Sequence, residues 1–234
     1  MSSEQRTVIV TGAAGNLGKA VALAFAASGE NLVLVDVDRS RLDSAFGKDD
    51  ARRLCAAANL LDMDEARGVA QAALSRFGRI DVLCNIAGGF RMGDMVHETS
   101  DDNWNFLFDI NTRTLLHMVR AVVPSMLAGG RGKIVNVGAF AAQRGVANMG
   151  AYTASKSAVI RMTEAMAGEL REKNINVNCV LPTIIDTPEN RAAMPKADPA
   201  RWVAPADLAN VIMFLASESA RAVHGAAIPV SSLS

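Results

Sequence analysis

Short runs of aliphatic and β-branched residues alternate along the chain with longer stretches whose apolar positions recur every three or four residues. Thr7-Val8-Ile9-Val10 is the first short run. The chain then turns through Thr11-Gly12-Ala13-Ala14-Gly15-Asn16-Leu17-Gly18, and Lys19 to Ser28 is alanine-rich with helical spacing. Gly29 stops that helix, and Asn31-Leu32-Val33-Leu34-Val35-Asp36 reads as a second strand. A short helix over Arg39 to Phe46 leads to a third strand over Leu54 to Leu60. Asp62 to Phe77 is amphipathic and opens with acids, as a helix start should. Ile80 to Asn85 is a fourth strand, running into Asn85-Ile86-Ala87-Gly88-Gly89. Asp101 to Ala128 predicts one long helix or two, with Asn111 near the middle. Lys133 to Val137 is a fifth strand, Ala151 to Lys173 a helix and Asn176 to Leu181 a sixth strand. Thr187 to Arg201 is polar, holds Pro188, Pro195 and Pro199, and predicts an irregular loop. Ala206 to Ser217 is a helix and Ala226 to Val230 a last strand.

Strands alternating with helices throughout predict an α/β fold, a doubly wound Rossmann-type parallel sheet flanked by helices. No linker, repeat or low-complexity segment interrupts it, so residues 1–234 are assigned to one domain. Half of the residues are hydrophobic, which supplies a large core. Lys plus Arg equals Asp plus Glu, at 24 each, so no basic excess argues for nucleic acid or an anionic membrane. Cys55, Cys84 and Cys179 lack metal-ligand spacing, and buried free thiols are expected, with no metal site. The polar start Met1 to Arg6 is no signal peptide and no apolar run reaches spanning length; the expectation is a cytoplasmic protein.

Two patterns carry chemistry. Strand, glycine turn, helix, then a strand ending in Asp36 form a dinucleotide-binding fingerprint. Gly12, Gly15, Asn16, Leu17 and Gly18 would place backbone N–H groups and a helix N-terminus against a diphosphate. Asp36 can accept from the adenosine ribose hydroxyls and repels a 2′-phosphate; Asp38 adds to this, while Arg39 and Arg41 soften it. NAD(H) is favoured, with NADP(H) left open. The second pattern is Tyr152-Thr153-Ala154-Ser155-Lys156. A Tyr and a Lys four apart share one helix face, and a nearby ammonium is expected to lower the phenol pKa, fitting Tyr152 for proton transfer. His97, His117 and His224 form no constellation. Trp104 reads as core or interface.

Taken together, the glycine turn, Asn85-Ile86-Ala87-Gly88, Asn111, Tyr152/Lys156 and Leu181-Pro182 followed by Asp186-Thr187-Pro188 resemble the short-chain dehydrogenase/reductase family, over nearly the whole chain. The resemblance implies that Tyr152 is the acid/base and that Lys156 binds the nicotinamide ribose and lowers the Tyr152 pKa. It implies that Asn111 holds a relay water, and that Asn85, Ala87 and Gly88 line the adenosine side. Asn59 and Leu60 would lie near the adenine; Pro182, Ile185 and Thr187 would lie on the nicotinamide side, with Thr187 holding the carboxamide. It also implies a homodimer or homotetramer formed through Asp101–Ala128 and Ala151–Lys173.

The chain departs from that family at four places. Asn16 stands where glycine is usual, Asn59 where an acid is usual, and Thr183 where glycine follows the proline. Ala139 stands where the family has its catalytic serine, thirteen residues before Tyr152. Losing such a donor costs on the order of 10²–10³ in rate for a carbonyl substrate. Several segments are similar to the dihydropteridine reductase subgroup: Gly15-Asn16-Leu17-Gly18, Ala87-Gly88-Gly89-Phe90, the alanine, and the run from Val180 to Arg191 with Met194 to Asp198 and Trp202. A quinonoid dihydropterin is already electron-poor and needs no second donor. Phe90, Met149, Trp202 and Ala139 are the substrate candidates; Phe90 and Trp202 are read evenly as aromatic walls or as packing. The small-molecule substrate is therefore expected to be a conjugated imine or carbonyl acceptor. The alternatives are a general carbonyl or alcohol oxidoreductase and a non-catalytic NAD(H) sensor.

Overall fold

The computed structural model describes residues 5–234, so most of the expected polar start lies outside the described residues. Seven strands form one sheet: β1 (Thr7–Thr11), β2 (Asn31–Asp36), β3 (Arg53–Ala57), β4 (Val82–Asn85), β5 (Gly132–Val137), β6 (Ile175–Pro182) and β7 (Ala227–Val230). Their order is β3-β2-β1-β4-β5-β6-β7 and every ladder is parallel, as the alternation of strands and helices predicts. The order reverses between β1 and β4, and a crevice opens beyond the carboxyl ends of such a pair.

Among the described residues eight α-helices connect the strands: α1 (Asn16–Ala27), α2 (Arg39–Phe46), α3 (Met63–Phe77), α4 (Asp101–Phe108), α5 (Thr114–Gly129), α6 (Gly150–Leu170), α7 (Pro188–Ala193) and α8 (Pro205–Leu215). The strands read as unbroken apolar runs because both faces are covered. Val8, Val10, Leu32 and Leu34 meet α1, α8 and Leu42 of α2 on one face. Ile9, Val33 and Val35 meet α3, α5 and α6 on the other. Buried amides add direction to this apolar sheet. Asn85 Nδ2 donates to Asn136 Oδ1 at 2.9 Å, and Asn136 Nδ2 donates to Thr163 Oγ1 at 2.9 Å, tying β4, β5 and α6 together.

Two segments differ from the sequence expectation, and a third takes one of its two alternatives. The third strand ends at Ala57 rather than Leu60, because Asn59 Oδ1 accepts from the Leu61 N–H at 3.1 Å and bends the chain away. Asp101 to Ala128, expected as one long helix or two, is two α-helices joined by a π-helix over Asp109–Arg113, which a pattern of apolar positions does not reveal. The proline-rich loop contains α7, whose start is well made. Thr187 accepts from the Asn190 N–H, and Pro188 takes the first helical position, where a missing N–H costs nothing. No helix among the described residues is long and apolar enough to cross a membrane. Cys55, Cys84 and Cys179 are free and buried.

Candidate functional site

The glycine turn sits between the carboxyl ends of β1 and β4. Gly12 has φ +61°, and a Cβ there would lie 2.9 Å from the Ala87 Cα. A Cβ on Gly18 would lie 2.1 Å from the Gly12 carbonyl oxygen, so only glycine lets α1 close onto its own turn. Thr11 Oγ1 accepts from the Ile86 and Ala87 N–H groups, each at 3.0 Å, and so fastens the turn to the segment after β4. Thr11 was not among the expected site residues; its signal is a hydroxyl as the last residue before a glycine turn. Gly15 caps α1 with no side-chain hydrogen bond, leaving the helix N-terminus to its backbone N–H groups. This end suits a diphosphate. Leu17 is buried, so only its backbone faces the site, and Asn16 is exposed.

Asp36 closes the far side of the turn. Its Oδ2 accepts from the Ala14 N–H at 3.1 Å and its Oδ1 from the Val37 N–H at 3.0 Å; the Arg41 guanidinium stands 3.7 Å from Oδ1. A cavity of about 510 Å³ beside it is lined by Gly15, Asn16, Lys19, Ser40 and Arg41 among others. Asn59 is exposed and uses its amide oxygen locally. Leu60, expected near the adenine, buries its side chain in the core cluster with residues of α3, so only its backbone could face a ligand there.

The second group lies one strand away. The buried Lys156 donates from Nζ to the Val137 carbonyl at 2.8 Å. A Cβ on Gly88 would lie 2.9 Å from Asn111 Oδ1 and 3.1 Å from Lys156 Nζ, so Gly88 forms the floor between them. Asn111, inside the π-helix, accepts from the Gly89 N–H at 2.9 Å. Its Nδ2 donates to the Gly89 carbonyl and to Ser155 Oγ, each at 3.1 Å. Held this way, the chain after Gly89 carries the Phe90 ring onto Tyr152. Asn85 is buried, and its Oδ1 has no partner among the described residues.

The expected lowering of the Tyr152 pKa is not what this environment produces. Burial pushes the phenol up to about 12 and the Lys156 ammonium down to about 8. Desolvation wins because the ammonium turns its hydrogen bond to the Val137 carbonyl and leaves the phenol in an apolar wall.

On the substrate side, Ala139 follows β5 and is only 4% exposed. Apart from the Tyr152 phenol, the hydroxyls on the first turns of α6 donate to backbone carbonyls rather than toward Ala139. Thr153 Oγ1 donates to the Met149 carbonyl, Ser155 Oγ to the Tyr152 carbonyl and Ser157 Oγ to the Ala142 carbonyl, at 2.9, 2.8 and 2.7 Å. Phe90, Met92 and Met95 are exposed and Met149 is half-buried. Trp202, read evenly as an aromatic wall or as packing, is buried at 5% exposure, in keeping with the packing alternative. Pro182 is buried at the end of β6; the Ile185 carbonyl accepts from Asn190 Nδ2 at 2.8 Å, beside the capping Thr187. Trp104 is neither core nor paired with the sheet: it is exposed on α4 and stacks on Phe108 at 4.5 Å.

A nucleotide turn at a topological switch point and a Tyr–Lys pair beside it have relatives. The family model described as short chain dehydrogenase matches residues 6–198. The chain belongs to the short-chain dehydrogenase/reductase family. It is 34% identical to the 3-oxoacyl-(acyl-carrier-protein) reductase FabG of Thermotoga maritima, over 98% of each chain. It is 32% identical to the 2-dehydro-3-deoxy-D-gluconate 5-dehydrogenase of Escherichia coli, over 98% of this chain and 95% of that one. Its structure superposes with TM-score 0.89 on an NAD+-bound xylitol dehydrogenase, at 26% identity over 99% of this chain and 100% of that one. It superposes with TM-score 0.87 on the 3-ketoacyl-(acyl-carrier-protein) reductase of Brucella melitensis in complex with NADH, at 28% identity over 97% of each. As a member, this protein is an NAD(P)-dependent oxidoreductase.

Proposed function

We propose that this short-chain dehydrogenase/reductase is an NADH-preferring reductase of a flat, conjugated imine or carbonyl acceptor, with a quinonoid dihydropterin as the leading substrate. The observation that carries the reading is Ala139, buried and without a hydroxyl, in a site where the Thr153, Ser155 and Ser157 hydroxyls donate to backbone carbonyls and only the Tyr152 phenol is left as a donor from the start of α6. A ketone gains much of its activation from such a donor. An electron-poor conjugated acceptor depends on it less.

The residues present fit a dinucleotide. The uncapped start of α1 would take the diphosphate, the Asp36 carboxylate the adenosine ribose, and Thr187 with the backbone near Ile185 the carboxamide. Asp36 supports NADH over NADPH, because its carboxylate is already fixed by the Ala14 and Val37 N–H groups and would face a 2′-phosphate. When bound, the nicotinamide supplies the hydride. Tyr152 holds a proton on its phenol oxygen well past neutral pH and delivers it to the acceptor atom beside the hydride. Lys156, with an ammonium that titrates near about 8, holds the ribose and refills the phenol. Asn111 fixes Gly89 and thereby the wall that Phe90 forms. The exposed Trp104, Leu116 and Leu127 on α4 and α5 support a further proposal, that these helices join copies of the chain into a dimer or tetramer.

The test follows NADH oxidation with a quinonoid dihydropterin beside a panel of ketones and quinones, NADPH run in parallel. Fast turnover of the pterin alone supports the reading. Turnover of ketones alone overturns it in favour of a general carbonyl oxidoreductase, the activity class that the names of the FabG and gluconate relatives carry.

A further inference from the structure

Asn16 stands in the phosphate turn where the family has glycine, and its side chain is not idle. Its Nδ2 donates to Glu189 Oε2, in the first turn of α7, at 2.8 Å across 173 positions of sequence. Both residues are exposed. The contact places a carboxylate at the positive end of α1, the end with no side-chain cap. The Glu189 carboxyl is also held low by its own backbone N–H and by the Thr187 side chain, ahead of Asn16. The segment that presents it is braced: Arg191 grips Asp186 with Nε and Nη2 at 2.6 and 2.7 Å, and Asn190 Nδ2 holds the Ile185 carbonyl.

We infer that Glu189 is an internal anion, fixed by Asn16, that competes with the diphosphate of the cofactor for the start of α1 and so sets cofactor affinity. The inference rests on the dinucleotide reading above. Glu189 stands between the two ends of the cofactor site: it holds Asn16 of the phosphate turn and lies in the first turn of the helix that Thr187, on the nicotinamide side, caps. A diphosphate brings more charge and more acceptors than one carboxylate, so it wins the place. It does so against a standing repulsion and with the loss of one hydrogen bond. The asparagine is thus an affinity determinant: glycine at this place could not hold the carboxylate over the turn.

The experiment is equilibrium binding of NADH, ADP-ribose and adenosine to the wild type, Glu189→Gln and Asn16→Gly, at low and at high salt. Glu189→Gln should bind NADH and ADP-ribose about two- to fivefold tighter at low salt, the size expected of one exposed charge at a helix terminus. Asn16→Gly should move affinity the same way, the double variant should gain little more, and the gain should shrink at high salt. Adenosine, which lacks the diphosphate, should bind all forms alike. NADH binding that is unchanged or weaker in Glu189→Gln overturns the inference and makes the pair inert or a retaining latch. A gain shared equally by adenosine also overturns it. Wild type that binds no NADH would sink the dinucleotide reading itself, a result distinct from the other two.

Discussion

The ring of Phe90 meets the ring of Tyr152 edge to face, with centroids 4.8 Å apart and planes at 87°. Phe90 is more than half exposed, so it is held by this contact and by the Asn111–Gly89 hydrogen bonds rather than by the core. An aromatic pair of this geometry contributes about 0.5–1.5 kcal/mol beyond its area. Phe90→Leu should therefore lower kcat/KM for a planar acceptor by about two- to tenfold. NADH affinity should stay put. Steady-state kinetics beside NADH titration checks this; equal losses for planar and non-planar acceptors would assign Phe90 to positioning Tyr152 alone.

Tyr152→Phe keeps the ring and its contact with Phe90 but removes the proton. Reductase turnover should fall by roughly 10²-fold or more, while NADH still binds. A rate equal to wild type would remove Tyr152 from the chemistry, and loss of NADH binding would show that the substitution had disturbed the cofactor side.

Ala139→Ser restores a hydroxyl where the Thr153, Ser155 and Ser157 hydroxyls are already engaged. Ketone reduction should rise clearly, by up to about 10²-fold, and turnover of a quinonoid dihydropterin should change little. Side-by-side kinetics with the two acceptors decides it. A sharp gain with the pterin would mean that this substrate does draw on a second donor, and that the alanine is not an adaptation to it.

The alkaline limb of the pH profile should belong to Lys156. Its pKa is lowered from 10.5 to about 8 by burial, so the charged form is lost in the folded protein as pH rises through about 8. The kcat/KM for NADH-dependent reduction, which reports groups of the free enzyme, should fall over that range. The same shift has a stability consequence with a definite sign. Because the folded value is depressed, the contribution of Lys156 is present above 10.5 and is lost as pH falls through about 8. Tyr152 acts the other way: its value is raised from 10.0 to about 12, so its contribution is present below 10.0 and lost as pH rises through about 12. Lys156→Ala should lower the plateau and abolish the limb near 8. A limb that persists in that variant assigns it to another group.

Much of this arrangement was legible in the sequence because the physics is local. The glycine turn, the apolar strands and the acid at Asp36 each state their structure within a few residues, and the parallel sheet follows from their alternation. The site was legible where spacing alone fixes a shared face, as with Tyr152 and Lys156. What stayed hidden depends on contacts remote in sequence. Trp202 reads equally as an aromatic wall or as loop packing until Val203, its neighbour, pairs with Ile185 and draws the segment inward. The Tyr152 pKa reads as lowered until the Lys156 ammonium is found on the Val137 carbonyl. Likewise, the purpose of Asn16 is invisible without Glu189.

The π-helix at Asp109–Arg113 sets the reading frame of this region. Its wider turn accommodates a residue that a regular helix would not, and Asn111 reaches Gly89 and Ser155 from within it. The wide turn takes up one extra residue, so α4 and α5 keep the faces that an unbroken helix would give them. A single deletion there would restore ordinary winding and leave Trp104 and Phe108 on their face, while Asn111 would lose the place from which it reaches Gly89 and Ser155. The length of this segment and the identity of Asn111 are therefore constrained together.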